Sequence, residues 1–235
     1  MRFITACEGQ LREWSASPGS WSAPGTTTGL AALDELLPEG KLSNGAVHEI
    51  LWPNDQPRPL TFAAILARAF CHSRVMAWCD PEGGLFPPAL AGLGIDLNHL
   101  LIFRPQGPAD LLWGLEECLR CGGVGATVGQ VQRLSRLGAR RFQLAAESGQ
   151  GAGILLRGPS GWTDQYAAAT RWKVSALPGS HAIQRWNIQL IHSSHGGRLG
   201  QSVVLEVCRE THHVRAVVAV AHRLPETPAA AAQSA

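Results

Sequence analysis

Residues 48–70 read HEILWPNDQPRPLTFAAILARAF. An apolar run ending at Leu51 suits a buried strand, residues 52–59 form a proline-rich loop, and the apolar segment from Thr61 has the length of a helix. A strand that turns through a loop onto a helix N-terminus is the layout in which α/β proteins hold phosphate, because the first helical amides point at the anion. Such a loop needs glycines for close backbone approach, a lysine for the outer phosphates and a Ser or Thr hydroxyl for Mg2+, in the pattern G-x-x-x-x-G-K-[ST]. Here Trp52 stands at the first glycine, Pro57 at the second, Arg58 at the lysine and Pro59 at the hydroxyl residue. Each proline removes an N–H and fixes φ. Arg58 keeps the capacity to touch an anion, and Thr61 comes two positions too late to be the metal ligand. No cofactor is expected, and ATP is the ligand against which that expectation is tested. An ordinary strand-to-helix connection accounts for the same residues.

The flanking blocks extend the strand–helix pattern. GLAALDELL reads as a short helix closed by Pro38 and Gly40, and GAVHEIL as the strand before the loop. After the helix at 61–72 come the strand RVMAWC, the short helix PPALAGLG and the strand LLIFRP. A helix at 108–121, a strand at 123–128, a helix at 135–148 with Ser135 as N-cap, and the strand AGILLR complete the series. Repeated alternation implies parallel strands with helices on the faces, since parallel neighbours need long crossovers. Beyond Gly158 the segments TRWKVSAL, RWNIQLIH, SVVLEVC and VRAVVAVA read as strands without intervening helices, an antiparallel extension of the sheet. The fold class is therefore α/β, mostly parallel strands flanked by helices, with antiparallel strands added at the C-terminal side. Residues 1–14 read as a short amphipathic helix carrying Phe3, Ile4, Leu11 and Trp14. With the linker that follows they make an arm, 1–27, outside a main domain at 28–222. The ending, 223–235, offers no residue able to anchor it.

With 235 residues, 45% of them hydrophobic, the chain can fill one substantial core. Charged residues make up 16% and the net charge is +2, so no global basic field points to nucleic acid. Six cysteines, at 7, 71, 79, 118, 121 and 208, suit reduced thiols in the cytoplasm. FITAC looks like a lipoprotein cleavage box, but too few residues precede Cys7 for an apolar export region. LTFAAILARAF is short and broken by Arg68, so no bilayer span is expected. Cys118 and Cys121 in CLRC supply half a zinc site. His192, His195, His212 and His213 would add ligands only if the late strands brought them together, and no metal is expected. Ser160 in GPSGW lacks the spacing of a nucleophile elbow.

TGLAALDELLPEGKLSNGAVHEI, residues 28–50, is similar to the T-G-x-x-x-L-D-x-x-L-x-x-G-x-L-x-x-G-x-x-x-E-I approach to the nucleotide-binding core of RecA-like recombinases. CDPEGGLFPPALAGLGIDLNHLLIFRP continues the likeness. ARRFQLAAESG, ATRWKVSALPG and RWNIQLIHSSHGGRLG resemble the ImuA family, RecA-like proteins encoded with translesion DNA synthesis factors. The resemblance runs from about Thr28 to His222 and implies a RecA-like core. It further implies an accessory role in SOS-induced mutagenic DNA synthesis. The partners it implies are the Y-family polymerase homologue ImuB, an error-prone DnaE-type polymerase and RecA.

Family members commonly lack an intact phosphate loop, which implies no catalysis. Glu82 in DPEGG matches the glutamate that activates water in active recombinases. It would have that task only with phosphate and Mg2+ nearby, so it is read as vestigial, with Asp80 beside it. Where a metal-supporting Asp would end the strand GVGATVGQV, the chain has Gly129 and Gln130. The interval that would hold DNA-binding loops, 158–168, contains Trp162 and Tyr166 but no Lys or Arg. DNA contact is therefore expected to be weak. Arg136, Arg140 and Arg141, preceded by Arg133, form a candidate partner or DNA edge, against the alternative of a solvated helix face. Trp14, Trp21 and Trp162 are candidate interface anchors, whereas Trp172 and Trp186 read as packing residues of neighbouring strands. Two other functions compete with the scaffold: a weak ATPase using Arg58 and Glu82 through an unconventional loop, and a DNA-binding recombinase mediator.

Overall fold

The computed structural model describes residues 3–7, 10–14, 25–53, 55–161 and 168–218. The N-terminal arm departs from the helix expected there. β1 (Phe3–Cys7) and β2 (Gln10–Trp14) pair antiparallel, with Phe3 opposite Trp14 and Cys7 opposite Gln10. The register leaves two residues, 8 and 9, between the paired strands. Trp14 thus ends a strand, while Trp21 and Trp162 lie outside the described residues, as does the tail at 223–235.

Among the described residues, the main sheet is assembled from nine strands. α1 (Ala31–Asp34) leads to β3 (Ala46–Leu51), α2 (Leu60–Arg68), β4 (Val75–Cys79), α3 (Pro87–Gly92) and β5 (Leu100–Phe103). Then come α4 (Pro108–Arg120), β6 (Val124–Gln130), α5 (Arg136–Gly149) and β7 (Ala152–Arg157). β8 (Thr170–Leu177), β9 (Ile183–Ser193), β10 (Ser202–Cys208) and β11 (Val214–Val218) follow. The spatial order is β11-β10-β9-β8-β3-β7-β6-β4-β5. β9, β10 and β11 are antiparallel additions, as expected. β8 is not: it pairs parallel with β3, from His48 opposite Thr170 to Leu51 opposite Lys173. The segment between β7 and β8, residues 158–169, is close to the dozen or so residues that a parallel crossover requires.

Helix ends follow local chemistry. The Ser135 hydroxyl accepts the Gly138 N–H at 3.1 Å and starts α5. Arg74 ends it, donating from Nη1 to the Gln150 carbonyl and from Nη2 to the Gly149 carbonyl, both at 2.7 Å, where a cation also suits the helix dipole. The period-2 alternation of the strands separates two packed layers. On one face Ile50, Phe62, Leu66, Val128, Ile154, Trp172 and Trp186 belong to one apolar cluster. On the other, Val47, Leu115, Leu119, Phe142 and Leu155 pack under α4 and α5. Trp172 meets Phe62 edge-on, with ring centroids 5.7 Å apart, so both strand tryptophans are core residues as their spacing indicated.

Candidate functional site

The loop after β3 folds against itself. Trp52 is buried, and its N–H donates to the Arg157 carbonyl at 3.4 Å. The Gln56 N–H donates to the Pro53 carbonyl and the Leu60 N–H to the Arg58 carbonyl at 2.9 Å, so these amides are directed at the loop's own carbonyls. The Gln56 side chain accepts the Ala176 N–H at 2.7 Å and ties the loop to β8. Pro57 is exposed, and Pro59 is buried at the N-terminus of α2, where it makes no side-chain cap bond.

Arg58 brings three separate sequence positions together. Its Nη2 donates to Glu82 Oε2 at 2.8 Å and its Nη1 to Gln130 Oε1 at 3.1 Å. Glu82 follows β4, Gln130 ends β6, and Arg58 lies in the loop after β3, so the clasp sits beyond the carboxyl ends of the parallel strands, where open α/β sheets bind ligands. Asp80, by contrast, organises its own turn. Its carboxylate accepts the N–H groups of Gly84 at 3.0 Å and Leu85 at 3.2 Å, around Gly83 at φ 69°, a left-handed conformation that glycine adopts without strain. Arg104 lies 3.8 Å from the same carboxylate.

Of the two residues ending β6, only Gln130 reaches the clasp. A Cβ on Gly129 would come within 2.5 Å of Leu115 Cδ2, because that position faces α4. The donor set therefore differs from the one a Mg2+-nucleotide takes. The loop supplies two prolines, Arg58 is bonded to a carboxylate, and the residue facing it from β6 is an amide. Among the described residues, no three His, Cys, Asp or Glu side chains gather as metal ligands.

The interval between β7 and β8 is flanked by cations that the sequence reading did not assign. Arg157 Nη1 donates to Glu49 Oε1 at 2.9 Å, and Arg171 Nε donates to Glu49 Oε2 at 2.8 Å. Glu49 and Arg157 are fully buried on the central strands, and Arg171 Nη2 also holds the Gly161 carbonyl at 2.5 Å. Both guanidinium groups are thus turned onto one buried carboxylate, which holds them away from a polyanion at the surface. The signal was visible as charges inside the apolar runs VHEIL and GILLR. Their pairing was not, since 108 residues separate Glu49 from Arg157.

The remaining candidates separate. Arg136 is exposed, and Arg140 Nη1 donates to Gln143 Oε1 at 2.8 Å, whereas Arg141 reaches across to Glu116 on α4. Glu116 is nearly buried and also accepts from Arg120 Nη2 at 2.5 Å, so Arg141 joins two helices. The late strands do pair, but they place the histidines apart. His192 lies opposite Arg171 at one end of β9, while His212 and His213 follow Cys208, which lies opposite Ile183 at the other end. Cys118 is buried, and burial pushes its thiol up to about 12, which disfavours the thiolate that zinc requires. No helix among the described residues is long and apolar enough to cross a membrane.

No protein-family model matches the chain. It is 30% identical over 172 residues to Protein ImuA of Caulobacter vibrioides, in two strains, covering 70% of this chain and 68% of that one. It is 32% identical over 101 residues to Protein RecA of Symbiobacterium thermophilum, a match that spans 43% of this chain and only 29% of that protein. Its fold is similar to the crystal structure of the RadB recombinase, with a TM-score of 0.59 at 14% identity over 81% of this chain and 98% of the other.

Proposed function

This chain belongs to the ImuA family, and from that premise we propose that it is a non-catalytic accessory protein of SOS-induced, error-prone translesion DNA synthesis. Its RecA-like domain serves as a protein-binding scaffold, in the cytoplasm, for a Y-family polymerase homologue, an error-prone DnaE-type polymerase and RecA. The observation that carries the reading is the clasp of Arg58 on Glu82 and Gln130. A water-activating glutamate must be free to accept a proton at the attacking water, and an arginine that grips phosphate must be free to leave its carboxylate. Here the two are bonded to each other across an exposed pair, and the loop around them has neither the lysine nor the hydroxyl that would bring phosphate and Mg2+ between them. The cations flanking the 158–168 interval are held by Glu49, which supports weak DNA contact at most.

The test is equilibrium binding of labelled ATP with Mg2+ to the wild type, Arg58→Ala and Glu82→Gln, alongside co-purification with the two polymerases. The expected result is no saturable ATP binding in any of the three and a stoichiometric polymerase complex with the wild type. Saturable ATP binding that Arg58→Ala abolishes would overturn the non-catalytic part of the reading.

A further inference from the structure

The solvent side of the α4–α5 pair carries features that the nucleotide-site geometry does not explain. Both helices connect successive parallel strands on one face of the sheet, so they run in the same direction, and the Arg141–Glu116 ion pair pins them together. Leu137 lies one turn before Arg141 and Leu144 one turn after it, and they are 72% and 47% exposed. Trp113 lies one turn before Glu116 on α4 and is 57% exposed. Single surface leucines are ordinary, but a tryptophan and two leucines, each one turn from a residue of the same interhelical ion pair, put three large apolar side chains on one helix pair's solvent side.

The same face has an unbalanced charge. Arg133, Arg136 and Arg140 have no carboxylate partner among the described residues, and Arg140 meets only the neutral Gln143. The neighbouring Arg120 and Arg141, in contrast, are both paired. Next to Arg133, at the N-terminal end of the pair, a cleft of about 580 Å3 opens between the loops after β5 and β6, walled by Leu111, Leu112 and Val131 and lined also by Glu82 and Gln130 of the clasp. That size accepts an apolar side chain or two from a bound segment.

We propose that this face is a docking surface for an acidic, apolar segment of a partner protein. Its apolar side chains cover Trp113, Leu137 and Leu144 and enter the cleft, and its carboxylates pair with Arg136 and Arg140. The exposed leucines decide between the two kinds of polyanion: a single strand can stack a base on Trp113 and neutralise arginines but leaves Leu137 and Leu144 in water, whereas an amphipathic peptide covers all of them. The identification of the occupant as a protein rests on the accessory reading above. The helix face is independent of whether the clasp admits nucleotide, since Trp113, Leu137, Leu144, Arg136 and Arg140 do not line the cleft that Glu82 and Gln130 share.

The experiment uses the full chain and four labelled probes. These are a synthetic amphipathic peptide of Glu, Leu and Phe, the same peptide with Gln for Glu, the same with Ala for Leu and Phe, and a single-stranded oligonucleotide. Binding is measured by fluorescence anisotropy for the wild type, for the Arg136→Glu/Arg140→Glu pair and for the Leu137→Ser/Leu144→Ser pair. Thermal unfolding checks that each variant is folded. Saturable binding of the acidic peptide is expected, weakened about tenfold or more in each double variant and by each change to the peptide. The proposal is overturned by no saturable binding, by binding that both double variants leave unchanged, or by tighter binding of the oligonucleotide through the same arginines. ATP binding measured on the same proteins separates the two readings: nucleotide binding beside the expected peptide result removes the non-catalytic assignment and leaves the docking surface standing.

Discussion

Glu49 Oε1 accepts a hydrogen bond from Arg157 Nη1 at 2.9 Å, and solvent reaches neither side chain. Arg171 holds the other carboxylate oxygen, so one acid joins β7, β3 and β8 at the centre of the sheet. Removing the acid alone would take from two desolvated cations the carboxylate that they share. Glu49→Gln is expected to lower stability by about 3–5 kcal/mol, whereas an apolar replacement of both Glu49 and Arg157 should cost less than that single change. Urea unfolding of the two variants checks the order; a Glu49→Gln loss no greater than that of an exposed ion pair contradicts it.

His48 makes folding sensitive to acid. Its Nε2–H donates to the Ser43 carbonyl at 3.0 Å, and its Nδ1 accepts the Thr170 hydroxyl at 2.9 Å. That hydroxyl in turn accepts from Trp172 Nε1 at 2.9 Å. Burial holds the imidazole pKa down at about 4, against 6.5 for the free side chain. Between those values the unfolded chain binds the extra proton and the folded one does not, so stability rises with pH across the window. The contribution is fully present above about 6.5 and is lost as pH falls toward 4, a change of about 3 kcal/mol. Urea midpoints at pH 7.5, 6 and 5 should fall in that order for the wild type, and His48→Gln should flatten the decline.

Glu116 is the shared acceptor of Arg120 and Arg141 and is itself nearly buried. Arg141→Ala still leaves Arg120 to serve the carboxylate, so its cost is expected to be about 1 kcal/mol. Glu116→Ala should cost more, because it takes the acceptor from both Arg120 and Arg141 and opens space where the nearly buried side chain stood. A double-mutant cycle measured by chemical unfolding should show that the two losses are not additive.

The cysteines are expected to react in an order set by their surroundings. Burial raises the thiols of Cys79 and Cys118 to about 12. Cys208 is lowered by hydrogen bonds from the Thr211 side chain, the Thr211 backbone and the Glu210 backbone. In a Cys7→Ser background, an aromatic disulfide reagent at neutral pH should modify Cys208 ahead of Cys79 and Cys118, which should react only on unfolding. Mass spectrometry of partially labelled protein reads the order directly.

The alternation of strands and helices from Ala46 to Arg157 was legible because each parallel strand needs a crossover, and the Ser135 cap was legible because capping is local. The hairpin at Phe3–Trp14 was hidden because Phe3, Ile4, Leu11 and Trp14 also fit a helical spacing; Gly9 was the signal against it. β8 could not be assigned its direction, since nothing within TRWKVSAL distinguishes a parallel from an antiparallel neighbour. The residues of the clasp were each identifiable at their own positions, yet Arg58 lies 24 residues from Glu82 and 72 from Gln130. Local pattern carries no information about pairings at that distance. The outward turn of Trp113, Leu137 and Leu144 was hidden for a related reason, because a helical stripe shows which residues share a face but not whether anything covers them.

The position of β3 governs how the chain emerges from the ribosome. Its two neighbours are β7 and β8, and His48 meets Thr170 across 122 residues of intervening sequence. While β4, β5 and β6 can find one another early, β3 stays unpaired on both edges until residues 152–173 have been synthesised. Loop closure over such separations makes folding slow and leaves a bare apolar strand open to aggregation. Nascent chains stalled before β7 should therefore depend on chaperones that mask this segment, and release of the last strands should act as the trigger for collapse.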